Sequence, residues 1–147
     1  VNSIPALEGS IEVEKWLRLK ERGIRYVKFW ENGDVYTIGK ATFIHGLYTN
    51  DGHAKKHVTQ YGTNTFYGHT HDVQSYSQIY RGKNSTIVGH SLGCLCKYDL
   101  PYMRGRPSKW QQAFAVFYFQ DTGFFNYYVT NIFNHQFVGP DGKLYKP

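Results

Sequence analysis

Hydrophobic and polar positions change period several times along the chain, and each change marks an element. Over residues 11–22 the apolar Ile11, Val13, Trp16, Leu17 and Leu19 sit among charged residues, with Ser10 placed to cap the start and Gly23 to stop the end. This pattern predicts an amphipathic helix. Residues 24–30 then alternate, with Ile24, Tyr26, Lys28 and Trp30 on one face and Arg25, Val27 and Phe29 on the other. Asn32-Gly33 offers a turn into residues 35–38, so a hairpin is expected. Ala41–Ile44 reads as a short strand running into His45-Gly46. His53–Tyr61 is a second helix candidate, capped by Asp51 and stopped by Gly62, and residues 65–67 form the next strand. Strand, helix, strand in that order imply parallel strands with a crossover helix, so both strand ends should emerge on one edge of one sheet.

Further along, residues 74–80, a turn at Arg81-Gly82-Lys83-Asn84, and residues 85–88 read as strands. Residues 101–107 are irregular. Residues 113–120 and 124–133 look like an antiparallel pair around Asp121-Thr122-Gly123, and Pro140-Asp141-Gly142 makes a last turn. No repeat or low-complexity linker interrupts the 147 residues, so one domain over 1–147 is expected. With 41% hydrophobic and 18% aromatic residues, and Tyr and Phe abundant, composition favours a strand-rich mixed α/β fold with about two helices. No apolar run approaches roughly 18 residues and no secretory signal opens the chain, so a cytoplasmic protein without a membrane partner is expected. The first residue is Val1 rather than Met, which reads as a fragment or a processed product.

Charge narrows the partners. A net charge of +6 favours an anionic one, a phosphorylated substrate or nucleic acid. The basic residues are spread out, and their one local concentration is Arg104, Arg106 and Lys109, flanked by Tyr102 and Trp110. That segment reads first as a solvated loop and second as a substrate-facing one. Cys94 and Cys96 would share one face of a strand, where a bridge across a single residue is strained. Reduced thiols are expected, and without two further soft ligands at zinc-site spacing the pair is a weak metal signal.

The strongest chemical signal is histidine at two strand ends. Ala41-Thr42-Phe43-Ile44-His45-Gly46 and Phe66-Tyr67-Gly68-His69-Thr70-His71 both run from an apolar stretch into Gly and His. Together they offer three imidazoles, donors suited to Mn, Fe, Ni or Zn, with carboxylates to complete the shells. For the other histidines, His90, His135, His53 and His57, a satisfied polar role is expected.

His-Gly after one strand and Gly-His-Thr-His after the next resemble the C-terminal half of the calcineurin-like metallophosphoesterases, a family of protein phosphatases, nucleotide phosphodiesterases and a double-strand-break repair nuclease. Residues 41–71 carry the match. The Gly93-Cys94-Leu95 and Gly105-Arg106-Pro107 segments look similar to phage and prophage members. The resemblance implies half of an αββα sandwich built around two divalent metals, Mn, Fe, Ni or Zn. By the same resemblance His45 and His69 ligate one metal and His71 the other, in a hydrolase of phosphate mono- or diesters. His53, Arg104 and Arg106 are the candidate substrate-facing residues.

The family also carries Asp-x-His, Gly-Asp-x-x-Asp and Gly-Asn-His-Glu/Asp motifs upstream of the histidine motifs, and this chain has none of them in place. Asp51-Gly52-His53 follows His45, Gly33-Asp34 lacks its second Asp, and Asn134-His135-Gln136 comes too late. The expectation is therefore a C-terminal portion that does not hydrolyse phosphoesters alone, since histidines without a bridging Asp bind metal incompletely. Two rivals remain. Gly89-His90-Ser91-Leu92-Gly93 spells the nucleophile elbow of serine hydrolases, although residues 94–101 carry no helical period after it. A basic sheet whose Tyr76, Tyr80, Tyr118, Tyr127 and Tyr128 stack bases, or which binds another protein, would need no catalysis at all.

Overall fold

The computed structural model describes residues 12–28, 35–79, 85–97, 100–106 and 108–147, and the chain divides into two compact units, Val1–Asp34 and Val35–Pro147. Two α-helices and nine strands among the described residues make a strand-rich mixed α/β fold, as composition predicts. Among the same residues no helix is long and apolar enough to cross a membrane.

In the first unit, helix α1 (Val13–Trp16) is shorter than the expected 11–22. Leu17 closes it and Arg18 turns left-handed at φ 52°. None of its residues is buried, and a helix this short without a buried face gains little from propensity alone. The described part of the expected hairpin, residues 24–28, forms no strand, and residues 29–34 lie outside the described residues.

The second unit begins with β1 (Tyr36–Ile38), which pairs antiparallel with β2 (Ala41–Ile44) through the tight turn Gly39-Lys40. Gly39 takes φ 54° there, so this dipeptide sets the hairpin of β1 with β2, and the expected turn at Asn32-Gly33 lies outside the described residues. Helix α2 (His53–Tyr61) then crosses over to β3 (Asn64–Tyr67), which lies parallel to β2 as the strand, helix, strand order requires. Gly52 rather than Asp51 occupies the N-cap, and Gly62 ends the helix at φ 64° with its N–H donating to the Val58 carbonyl at 2.9 Å. Two more strands, β4 (Val73–Ile79) and β5 (Thr86–Leu92), complete a five-stranded sheet in the order β1-β2-β3-β5-β4. β5 runs parallel to β3 and antiparallel to β4, so it extends four residues past the expected Val88.

Each face of the sheet is covered differently, because alternate residues of β3 point opposite ways. Tyr67 faces α2, where its ring stacks on His57 at 3.8 Å. Phe66 faces the antiparallel pair β6 (Ala113–Phe119) and β7 (Phe125–Asn131), with Phe117 and Tyr127 each 4.8 Å from its ring centre. Phe43 joins it against Phe117 at 5.0 Å. Phe66 has no exposed surface, and burying such a ring contributes about 1.5–3 kcal/mol. A two-stranded ribbon of β8 (Phe137–Val138) and β9 (Leu144–Tyr145) ends the chain.

Gly89 of β5 is the point of closest approach between sheet and helix. A Cβ there would stand 2.4 Å from the Ala54 carbonyl oxygen and 3.1 Å from Val58 Cβ, both on α2. Backbone cannot yield as a side chain can, so Gly89→Ala is expected to cost about 1–3 kcal/mol. Urea unfolding of the variant checks this, and an unchanged midpoint would contradict the packing.

Candidate metal centre

The register of the parallel pair positions the first two histidines. Ile44 of β2 stands opposite Tyr67 of β3, so the two strands end level, and the Gly68 N–H donates to the His45 carbonyl at 3.1 Å just beyond them. His45 Nε2 and His69 Nδ1 thereby meet at 2.9 Å, with ring centres 4.8 Å apart. Gly46 makes that approach possible. At φ 113° it has a left-handed backbone, and a Cβ on it would lie 2.9 Å from His69 Cβ. Behind it, His57 has no exposed surface and holds the outgoing loop. Its Nδ1–H donates to the His53 carbonyl at 2.8 Å and its Nε2 accepts the Leu47 N–H at 2.9 Å, so His57 is a structural imidazole.

The Gly68-His69-Thr70-His71 loop is strained at both histidines, with His69 at φ 57° and His71 at φ 60°. A left-handed non-glycine residue costs roughly 1–2 kcal/mol and persists only where its surroundings enforce it. Asp72 provides the enforcement. Thr70 Oγ1 donates to its Oδ1 at 2.6 Å, Ser91 Oγ donates to its main-chain carbonyl at 2.7 Å, and His53 Nε2–H donates to its Oδ2 at 2.9 Å. On its far side His53 Nδ1 accepts the Tyr67 hydroxyl at 2.6 Å. Burial pushes the Asp72 carboxyl up, but the hydrogen bonds from Thr70, His53 and Ser91 outweigh it and keep the group below the ordinary carboxylate range. Burial also raises the Tyr67 phenol, which stays protonated and able to donate. No residue of this network was signalled as a group by the sequence, because its members lie on α2, β3, the loop and β5.

His71 stands apart from the pair. Its ring packs edge-on to Trp110 at 4.3 Å, and its Nδ1 lies 4.0 Å from Cys96 Sγ. It is still near enough that its charge, with that of His69, acts on His45. Burial first, then these two neighbours, hold His45 below the ordinary imidazole value, which favours the neutral form a metal needs. The pair also fits a shared ion in distance. Two nitrogens at ~2.1 Å from one transition metal and at right angles lie about 3 Å apart, so the 2.9 Å separation suits a common ion as well as a hydrogen bond.

Beside His69 a cleft of ≈ 360 Å³ is lined by Asn50, His53, Thr70, Lys109 and Trp110 among others. His53, expected as substrate-facing, is 3% exposed and uses both ring nitrogens within the protein. Lys109 reaches the same cleft and pairs with Asp51. Arg104 and Arg106 are exposed after a 3-10 turn (Pro101–Met103) and do not line the cleft. Ser91 of the Gly-x-Ser-x-Gly segment lies within β5 with no exposed surface, and the described residues 93–97 after it form no helix, the opposite of an exposed nucleophile at a strand-to-helix turn. Of the tyrosines proposed for stacking, Tyr127 packs inward on Phe66, while Tyr118 and Tyr128 are 54% and 45% exposed. No protein-family model, curated protein or solved structure matches the chain.

Three imidazoles tie stability to pH. Burial lowers His57 and His90, and burial with His69 and His71 lowers His45, all from an ordinary value of 6.5. The native state then binds fewer protons than the unfolded chain between 6.5 and the lowered values. Stability is therefore expected to be full above pH 6.5 and to fall as the pH drops below it, carried by the buried His57 and His90, since solvent screens the exposed His45. Urea midpoints of the metal-free chain across this range check the sign, and a rise on acidification would contradict it.

Proposed function

We propose that this chain supplies the histidine ligands of a metallophosphoesterase centre, His45 and His69 to one divalent ion and His71 to the other. The observation that carries the reading is the meeting of His45 Nε2 and His69 Nδ1 at 2.9 Å across two level strand ends, on a loop whose strain falls on both of its histidines. Strain of that kind, enforced by a buried network, marks a site held for a task rather than one left to relax. The alternative, incidental histidines on a binding module, gives no reason for Gly46 to admit His69 so closely or for Asp72 to hold the loop.

Imidazole donors suit Mn, Fe, Ni or Zn, and bound ions of this kind polarise phosphoryl oxygens and activate water. The chain's own residues do the positioning. His45 is held neutral, His57 fixes the loop that follows it, and Asp72 with Thr70 and Ser91 fixes the loop that carries His69 and His71. In the adjoining cleft, Lys109 offers a cation and Asn50 an amide to an anionic substrate, a phosphate mono- or diester. The resemblance assigns the remaining carboxylate ligands to motifs this chain does not carry in place, so two-metal hydrolysis belongs to a complex with a segment that bears them.

Equilibrium dialysis with Mn²⁺ tests the reading. The chain alone is expected to bind weakly, and His45→Ala and His69→Ala are each expected to lower that affinity by roughly tenfold or more. Adding an Asp-bearing segment of the family is expected to raise occupancy and to produce aryl phosphodiester hydrolysis. Mn²⁺ binding that both variants retain at the wild-type level would overturn the assignment.

A further inference from the structure

His71 and the cysteine pair form a second compact group of ligand side chains. One ligand atom each from His71, Cys94 and Cys96 lies within 4.8 Å of the other two, and Cys96 Sγ is 4.0 Å from His71 Nδ1. The three residues come from two segments, His71 from the loop after β3 and both cysteines from the stretch after β5. Main-chain hydrogen bonds fasten those segments together. The Gly93 N–H donates to the Asp72 carbonyl at 2.9 Å, and the Gln111 N–H donates to the His71 carbonyl at 2.8 Å. The Cys94 N–H donates to the Gln111 carbonyl at 3.0 Å, while Gln112 Nε2 donates to the Cys96 carbonyl at 3.0 Å. Trp110 closes one side of the His71 ring.

All three side chains are half-buried and both thiols are free, so the donors are available without unfolding. Two thiolates and one imidazole are a set that zinc accepts in tetrahedral geometry, with the fourth position left to water or a ligand. The sequence hides the set, because Cys-x-Cys lacks a nearby soft partner and His71 lies 23 residues before Cys94.

We propose that His71 Nδ1, Cys94 Sγ and Cys96 Sγ form a Zn²⁺ site. Binding releases the two thiol protons to solvent as both sulfurs become thiolates. This site rests on the sulfur donors and not on the phosphoesterase reading. The two do interact, since a neutral imidazole offers one lone pair, and an ion on Nδ1 takes His71 away from the second ion of that reading, leaving the His45–His69 pair as it is.

Co²⁺, a stand-in for Zn²⁺ with visible spectra, tests the proposal on the reduced, chelator-treated full chain. A sulfur-to-cobalt charge-transfer band is expected on titration, bleached by Zn²⁺, absent in Cys96→Ser, and roughly tenfold or more weaker in apparent affinity in His71→Ala. In His45→Ala the band is expected to persist while Mn²⁺ binding falls, so failure of the histidine pair and failure of this site read out separately. The chain has two cysteines, so a sulfur band can arise nowhere else, and the wild-type titration decides even if a cysteine variant does not fold. Absence of the band in folded wild-type chain, or a band that His71→Ala leaves at full strength, would overturn the proposal.

Discussion

Parallel pairing of β2 with β3, in the register that sets Ile44 opposite Tyr67, is the constraint on which the rest of the candidate centre depends. Two parallel strands that end level deliver their next residues to the same edge of the sheet, where ligands of α/β sheets gather. A shift of one residue would turn His45 away from His69 and place Phe43 and Phe66 on the wrong faces. The aromatic layer on one side and α2 on the other both fix this register, since Phe66 packs on Phe117 and Tyr127 while Tyr67 stacks on His57. Packing and site geometry are therefore set by the same pair of strands.

Positioning the loop is a separate task, carried by polar chemistry. The left-handed backbone of His69 and His71 is compensated by the hydrogen bonds that converge on Asp72 from Thr70, Ser91 and His53. The bonds from Thr70 and His53 end on the carboxylate, and charge-assisted bonds of this kind are roughly twice as strong as neutral ones, while that from Ser91 ends on the main-chain carbonyl. Ser91 shows how the same residue type can mislead. Its motif spells a nucleophile, yet its hydroxyl is buried and spent on the Asp72 carbonyl.

Local pattern made much of this legible. The crossover helix His53–Tyr61, the strand Ala41–Ile44 and the β6–β7 pair follow from period and turn residues, and His45-Gly46 with Gly68-His69 point to the edge where the two histidines meet. Long-range partners were not legible. Asp72 is an ordinary residue after a motif until β5 brings Ser91 to it, and His71 joins the cysteines only because β5 and residues 111–112 return to the loop. The expected 11–22 helix is cut short at Trp16, where Arg18 turns left-handed, and Val13, Trp16 and Leu17 of its apolar stripe stay exposed while Leu19, beyond α1, is buried. His53 reads from the sequence as a candidate substrate-facing residue, whereas its place on α2 turns it inward between Tyr67 and Asp72.

The central claim is that His45 and His69 are held as a ligand pair. Crystals grown with Mn²⁺, with anomalous scattering recorded from the ion, test it most directly. One anomalous peak is expected within bonding distance of both His45 Nε2 and His69 Nδ1, with the Asp72 network unchanged. A map in which these nitrogens remain hydrogen-bonded to each other, with Mn²⁺ only at surface carboxylates, would contradict it.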